Sequence, residues 1–441
     1  MKDISMNRDR YLQKLLKRRG NGQIKVITGI RRCGKSYLLF NLFRNQLLEE
    51  GIPKKNIITL PLDDDEHETL RDPRTLGTFL RKRIEGLSGK IYILLDEIQY
   101  CHKVKRDNID VSVVAPEDRD SLYITFYDVL NGLQRRENVD IYVTGSNSKM
   151  LSDDVLTIFR GRGDEVRIHP FSFAEYLACV GGDKTTAFQD YMTFGGMPLA
   201  VLEEDEEERR NYLVHLFTTV YVKDLLEHND IEQPWLVERL LDVLSSSVGS
   251  LTNPTKLADT IRSMTGQTVG RNTVDLYMSY LKQAYLFSDA KRYDVKGKKY
   301  FETPYKLYSE DVGLRNARLN WRQQEPTHLM ENMLFNELVL RGYSVDVGIV
   351  PIETKKDGKR EIRKHEIDFI VNRGFNRTYI QSAFALGTEE KEEQEYLPLR
   401  HCRDAFKKII VTGGSERMWQ DEKGIIHVGV IPFLLDESIV D

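Results

Sequence analysis

The chain has 441 residues, 40% hydrophobic and 30% charged, enough apolar side chain for roughly three domains of ~150 residues each. Sixty-four Lys and Arg against 68 Asp and Glu leave a net charge of −4, so any contact with nucleic acid must come from a local patch rather than from global charge. The four cysteines (Cys33, Cys101, Cys179, Cys402) form no Cys-x-x-Cys pair, which argues against a zinc knuckle or disulfide framework and suits a cytoplasmic chain; no apolar run nears the ~20 residues of a membrane span, and Met1-Lys-Asp-Ile-Ser-Met6 has no signal core.

The first ~20 residues read as a basic amphipathic helix with Tyr11, Leu12, Leu15 and Leu16 on one face. An apolar strand then runs from Gln23 into Gly29-Ile30-Arg31-Arg32-Cys33-Gly34-Lys35-Ser36, and Tyr37-Leu-Leu-Phe40 opens a helix. Strand, Gly-x-x-x-x-Gly-Lys-Ser and helix together form a phosphate-binding loop. The glycines let the backbone turn several N–H groups toward one phosphate at the positive end of the helix. Residues 29–37 are expected to contact ATP, with Lys35 reaching the β- and γ-phosphates and Ser36 holding Mg²⁺.

Asn56–Leu60 reads as a short strand followed by the acidic Asp63-Asp64-Asp65-Glu66. Ile91-Tyr-Ile-Leu-Leu-Asp96-Glu97 is an apolar run ending in two acids, the pattern of a strand buried on both faces with a site at its C-terminal edge. Asp96 is expected beside Ser36 on Mg²⁺, and Glu97 to polarise the attacking water. Tyr100–Leu122 is a long segment carrying Lys103, Lys105 and Arg106, either a surface loop or a hairpin insertion lining a ring pore. The next strand, Ile141–Thr144, leads to Ser146 and Asn147, either of which suits a γ-phosphate sensor; a plain capping turn is the alternative. Farther on, Arg160 or Arg162 in Phe-Arg-Gly-Arg could neutralise phosphoryl charge in a neighbouring subunit.

Taken together, Gly29-Ile-Arg-Arg-Cys-Gly-Lys35-Ser36, Leu94-Leu-Asp96-Glu97-Ile-Gln99, Val143-Thr-Gly-Ser-Asn-Ser148 and Phe159-Arg-Gly-Arg162 before Pro170-Phe-Ser-Phe173 resemble the AAA+ ATPase family, in its bacterial and archaeal branch with a Gly-x-Arg-Arg-x-Gly-Lys loop. The resemblance covers about residues 5–175. It implies a five-stranded parallel sheet, sensor 1 at Asn147 or Ser146, an arginine finger at Arg160 or Arg162, and a homo-oligomer such as a hexameric ring.

The expected organisation is α/β: an AAA+ P-loop domain over residues 1–175, a helical lid or linker over 176–232 broken at Phe194-Gly-Gly-Met-Pro198, a winged-helix-like segment over 233–301, and a nuclease-like α/β domain over 302–441. In the third segment Pro234–Val248, a helix capped by Asn253 and started by Pro254, and Thr268–Ala284 read as three helices. A basic hairpin follows. Such a unit puts its third helix in a major groove, here with Arg271 and Asn272 at its start, and grips phosphate with Lys291, Arg292, Lys296, Lys298 and Lys299; a winged helix used only for protein packing is the alternative. In the last segment a helix beginning at Glu331, strands at Gly342–Gly348, Glu366–Val371 and Thr378–Phe384 with a charged loop after the first, and a strand at Lys408–Thr412 are expected. This segment resembles the domain found behind such ATPases, which in turn resembles PD-(D/E)xK nucleases. That chemistry needs a Glu (Glu331 or Glu337), an Asp (Asp368) and a Glu-x-Lys, and the last reads Gln381-Ser-Ala383. The domain is therefore expected to be nuclease-shaped and inactive.

Two functions follow from this reading. One is a Mg-ATP-hydrolysing oligomer acting on double-stranded or branched DNA. The other is a nucleotide-dependent switch or scaffold for a protein partner, with little turnover.

Overall fold

In the computed structural model the described residues are 6, 8–107, 109, 114–145, 163–229, 231–356 and 359–441. They fall into two compact units, residues 7–168 and 169–441.

The first unit holds β1 (Ile24–Thr28), β2 (Ile57–Pro61), β3 (Ile91–Asp96), the short β4 (Val104–Lys105) and β5 (Tyr123–Ile124), β6 (Val139–Thr144) and β7 (Gly163–Arg167). Five strands form a parallel sheet in the order β2-β3-β6-β1-β7, as the sequence resemblance implied. Every residue of β1 and β3 is buried, because helices cover both faces of an all-parallel sheet. Asp9–Lys17 is helical, with Tyr11 and Leu15 buried. β4, inside the segment Tyr100–Leu122, pairs antiparallel with β5 just after it, Val104 opposite Ile124. At the N-terminal end of the sheet, buried Lys25 pairs with Asp140, whose other oxygen accepts from Tyr142 (2.9 Å) and from the Gly20 N–H (3.0 Å).

The second unit opens with helices at Phe173–Val180, Lys184–Phe194 and Glu206–His215, followed by Pro234–Ser246, Pro254–Thr265 and Arg271–Gln283. Asn253 Oδ1 accepts from Lys256 N (2.8 Å), the expected cap. Then come β8 (Leu251–Thr252), β9 (Phe287–Asp294), β10 (Lys299–Ser309), β11 (Ser344–Lys356), β12 (Lys359–Arg373), β13 (Asn376–Ala383), β14 (Lys407–Thr412), β15 (Trp419–Gln420) and β16 (Ile426–Gly429). They make one mixed sheet in the order β15-β16-β14-β13-β12-β11-β9-β10-β8, backed by the buried helix Pro326–Leu340.

Three details differ from the sequence reading. The boundary expected at 301/302 falls inside β10, and β9 pairs with both β10 and β11, so the basic hairpin and the C-terminal strands share one sheet. The charged loop expected after Gly348 is not a loop. β11 and β12 stay paired from Ser344↔Asn372 out to Lys356↔Lys359. Val350 and Ile352 of β11 are buried, while residues 360–364 of β12 are all exposed and four of the five are charged, so no alternating apolar pattern marks that strand. The helix expected to begin at Glu331 begins at Pro326.

Phe194-Gly-Gly is more than a helix break. Gly195 has φ +70, and a Cβ there would lie 2.2 Å from Asp311 Oδ1. That close approach lets Asp311 accept from Gly196 N (2.6 Å) while capping the helix Val312–Arg318 through Leu314 N (2.9 Å). Burial pushes the Asp311 carboxyl up to about 6, against the backbone N–H groups that favour its charge.

Candidate functional site

β1 ends at Thr28 and the chain turns through Gly29 (φ +134). A Cβ at Gly29 would stand 2.1 Å from the Ile168 carbonyl oxygen, so only glycine lets the loop pass beside the end of β7. The buried Cys33 thiol also faces that oxygen at 3.6 Å. Arg32 (φ 65) and Gly34 (φ 98) take left-handed backbone, and the helix begins at Lys35. Buried Lys35 lies across its own loop, Nζ donating to Gly29 O and Ile30 O at 3.1 Å each. Arg31, Ser36 and Tyr37 are half-buried and Arg32 is exposed. Buried Arg8 was not anticipated; its guanidinium donates to the Cys33 carbonyl (3.4 Å) from ahead of the first helix. No motif marks it.

Asp96 closes β3 two strands away, yet the Ser36 hydroxyl comes near enough to its carboxyl to pull its pKa down. Its Oδ1 also accepts from Thr144 Oγ1 at the end of β6. The Thr144 oxygen in turn accepts from Glu97 N (3.0 Å). Glu97 sits in left-handed backbone (φ 51), and its Oε2 accepts from Gln99 Nε2. One hydroxyl thus ties together the two acids that the sequence paired. Thr144 went unread because it looked like the last residue of an apolar strand; the signal was a hydroxyl at the sheet's C-terminal edge, next to the acid-bearing strand. Burial raises the Asp96 pKa, with the nearby Glu97 charge adding to it, while the Ser36 and Thr144 hydroxyls pull it down. A hydroxyl and a carboxylate, both hard oxygen donors, the carboxylate without an ion-pair partner among the described residues, fit a Mg²⁺ ion that takes its remaining ligands from phosphate and water. Ser146, Asn147, Arg160 and Arg162 lie outside the described residues.

In the second unit, Arg271 and Asn272 are exposed on the first turn of Arg271–Gln283, and Arg271 lines an open cleft with Asn253, Lys256 and Asp259. Lys291, Lys298 and Lys299 are exposed. Lys296 Nζ donates to Pro351 O (2.5 Å), and Arg292 lies over the Phe301 ring (5.5 Å).

The structure also brings Glu331 and Asp368 together, around a lysine that no motif marks. Lys306 Nζ, on β10, lies 2.8 Å from Glu331 Oε1, 3.3 Å from Asp368 Oδ1 and 2.5 Å from Glu366 Oε1. Tyr308 OH donates to Glu331 (2.7 Å) and Ser382 N to Asp368 (2.9 Å). Gln381 accepts from Asp368 N (3.4 Å) and donates to Glu395 (2.7 Å). Burial disfavours the Lys306 charge, but Tyr308, Glu331, Asp368 and Glu366 outweigh it and hold the ammonium well above its ordinary pKa. Burial moves Glu331 the other way, up to about 7, against the pull of Lys306. Glu337, the other candidate, instead pairs with Arg341 (2.7 Å).

Among the described residues no helix is long and apolar enough to cross a membrane. A family model described as an AAA domain matches residues 21–177, and a domain of unknown function, DUF8612, matches 185–325. Neither lends support to the nuclease resemblance of the last segment. A Walker-type ATPase of Pyrococcus abyssi is similar to 72% of this chain and 97% of its own, with 15% identity and a TM-score of 0.48. The Aeropyrum pernix ORC1 protein, in complex with DNA, covers 72% and 93% with 12% identity and a TM-score of 0.28. These likenesses are loose; the sequence relatives are not. An uncharacterized Methanocaldococcus jannaschii protein is 24% identical over 434 residues, 93% of this chain and 87% of that one. An uncharacterized Haemophilus influenzae protein is 31% identical over 440 residues, 99% of this chain and all of its own. The chain belongs to the family of that Haemophilus protein, and its first unit is an AAA domain of the AAA+ ATPase kind.

Proposed function

We propose that the protein is a Mg-ATP-hydrolysing ATPase that works as a homo-oligomer and acts on double-stranded or branched DNA. The observation that carries the hydrolytic part is the hydroxyl of Thr144, bonded on one side to Asp96 and on the other to the backbone of Glu97. Ser36 and Asp96 would hold Mg²⁺, which when bound shields the phosphate charge from attack by a like-charged nucleophile. The remaining work falls to the chain. Lys35, now resting on two loop carbonyls, exchanges them for phosphate oxygens, an ammonium trading neutral acceptors for charged ones. Backbone N–H groups at the start of the helix receive the anion. Glu97 takes a proton from water, and Thr144 and Gln99 hold its backbone and its carboxylate in place. In this reading Asn147 or Ser146 senses the γ-phosphate, and Arg160 or Arg162 is supplied to a neighbouring subunit.

The helices Pro254–Thr265 and Arg271–Gln283 with the β9–β10 hairpin are read as a winged helix, and residues 302–441 as a nuclease-like shape without nuclease activity. Supporting the second point, the carboxylates such chemistry would need are already neutralised by Lys306. The test is steady-state ATP hydrolysis with and without a duplex. DNA stimulation, lost in Glu97→Gln, supports a DNA-dependent motor. Hydrolysis indifferent to DNA moves the protein to the switch or scaffold class with a protein partner.

A further inference from the structure

β11 and β12 outrun the sheet that carries them. β9 pairs with β11 only over Val347–Ile349, and β13 pairs with β12 only from Phe369 onward. From Ile352↔Arg363 to Lys356↔Lys359, five successive pairs, the two strands pair with each other alone among the described residues. At about 3.4 Å per residue this free ribbon is roughly 15 Å long. Its sequence from Lys355 to Lys364 holds six Lys or Arg and two acids. Arg360, Arg363 and Lys364 are exposed, and Ile362, 63% exposed, stands between them. Among the described residues Arg363 has one acidic partner, Glu361 at 3.2 Å.

The ribbon does not stand apart from the hairpin in the same sheet. Lys364 of β12, Arg292 of β9 and Lys299 of β10 all lie over one ring, Phe301, at 5.8, 5.5 and 5.6 Å. Among the described residues, Lys291, Arg292, Lys298, Lys299 and Lys364 have no carboxylate within ion-pair distance. Arg292 Nε is buried without a hydrogen-bond partner. Like charges gathered round one ring repel unless an anion joins them.

We propose that the free β11–β12 ribbon is the main duplex-DNA-binding element of this protein, entering the major groove while Lys298, Lys299 and Lys364 grip the adjoining phosphates. The major groove, about 12 Å wide, admits a two-stranded ribbon, and a regular row of phosphates supplies countercharge for Lys291, Arg292, Lys298, Lys299 and Lys364. This rests on the DNA reading above and changes its geometry: the ribbon, rather than the helix starting at Arg271, makes the principal contact.

The test uses the full chain and a 30-base-pair duplex of mixed sequence, with affinity measured from 50 to 300 mM KCl. The variant Lys355→Ala/Arg360→Ala/Arg363→Ala/Lys364→Ala is expected to weaken binding on the order of 30-fold and to lower the salt slope by about 3. An unchanged urea midpoint in tryptophan fluorescence shows that it still folds. Arg360→Lys/Arg363→Lys, which keeps the charges, is expected to bind within about threefold of wild type. Wild-type binding that the fourfold variant leaves intact overturns the ribbon while the DNA reading stands. A wild-type chain with no salt-dependent duplex binding overturns both.

Discussion

Replacing Lys306 by Met tests the account of the second unit most sharply. The methionine fills the space of the side chain but removes the ammonium that lies between Glu331, Glu366 and Asp368. Glu366 is 30% exposed at its side chain, so water screens its share. Glu331 and Asp368, at 9% and 11%, are left as buried carboxylates without a counter-ion. Breaking a buried ion pair from one side costs about 3–5 kcal/mol, and that is the expected loss at pH 8. At pH 5.5 the loss shrinks. Burial holds the Glu331 carboxyl above its unfolded pKa, and more so without Lys306, so the folded form keeps a proton that the unfolded chain has released. Stability contributed in this way is present at low pH and is lost as pH rises through the folded values. Glu331 is already pushed up to about 7 with Lys306 in place. Urea unfolding followed by tryptophan fluorescence reads the right unit, since Trp235, Trp321 and Trp419 all lie in residues 169–441. Adding Glu331→Gln to Lys306→Met should recover part of the loss at pH 8. An unchanged midpoint in Lys306→Met, or the same loss at both pH values, would refute the reasoning.

Other outcomes follow from single contacts. Thr144→Val strands Asp96 and the Glu97 N–H without their shared partner, at about 1–3 kcal/mol each if buried; the turnover number for ATP should fall roughly 10- to 100-fold, while binding of a fluorescent ATP analogue changes little. Gly29→Ala drives a Cβ into the Ile168 carbonyl, and equilibrium titration should show loss of ATP binding. Gly195→Ala pushes on Asp311 and uncaps Val312–Arg318; a loss on the order of 3 kcal/mol is expected in the same urea assay. Asp140→Asn leaves Lys25 buried beside a neutral group; thermal unfolding should show a loss of about 3 kcal/mol or more.

How much could be read in advance depended on how local the information was. The phosphate loop was legible because its turn, its lysine and its helix start sit within eight residues. Asp96 and Glu97 were legible because five apolar residues deliver them to a strand end. Lys306 was not, since its carboxylate partners lie 25 to 62 residues away and only the sheet order brings β10 beside them. Nor was Thr144, which on its own strand is just the last residue before a turn. The β11–β12 ribbon was taken for a loop because periodicity finds strands by alternating apolar residues, and Arg360 to Lys364 are exposed with Ile362 their one apolar side chain. Gly195 and Gly196 were seen as a break when the reason for them was Asp311, more than a hundred residues later.

The central claim is that Glu97 acts in hydrolysis and not in holding nucleotide. Glu97→Gln should bind a fluorescent ATP analogue as tightly as the wild-type chain, within about threefold, while Mg-dependent phosphate release falls by at least two orders of magnitude. Phosphate release that survives the substitution, or binding that disappears with it, would contradict the account.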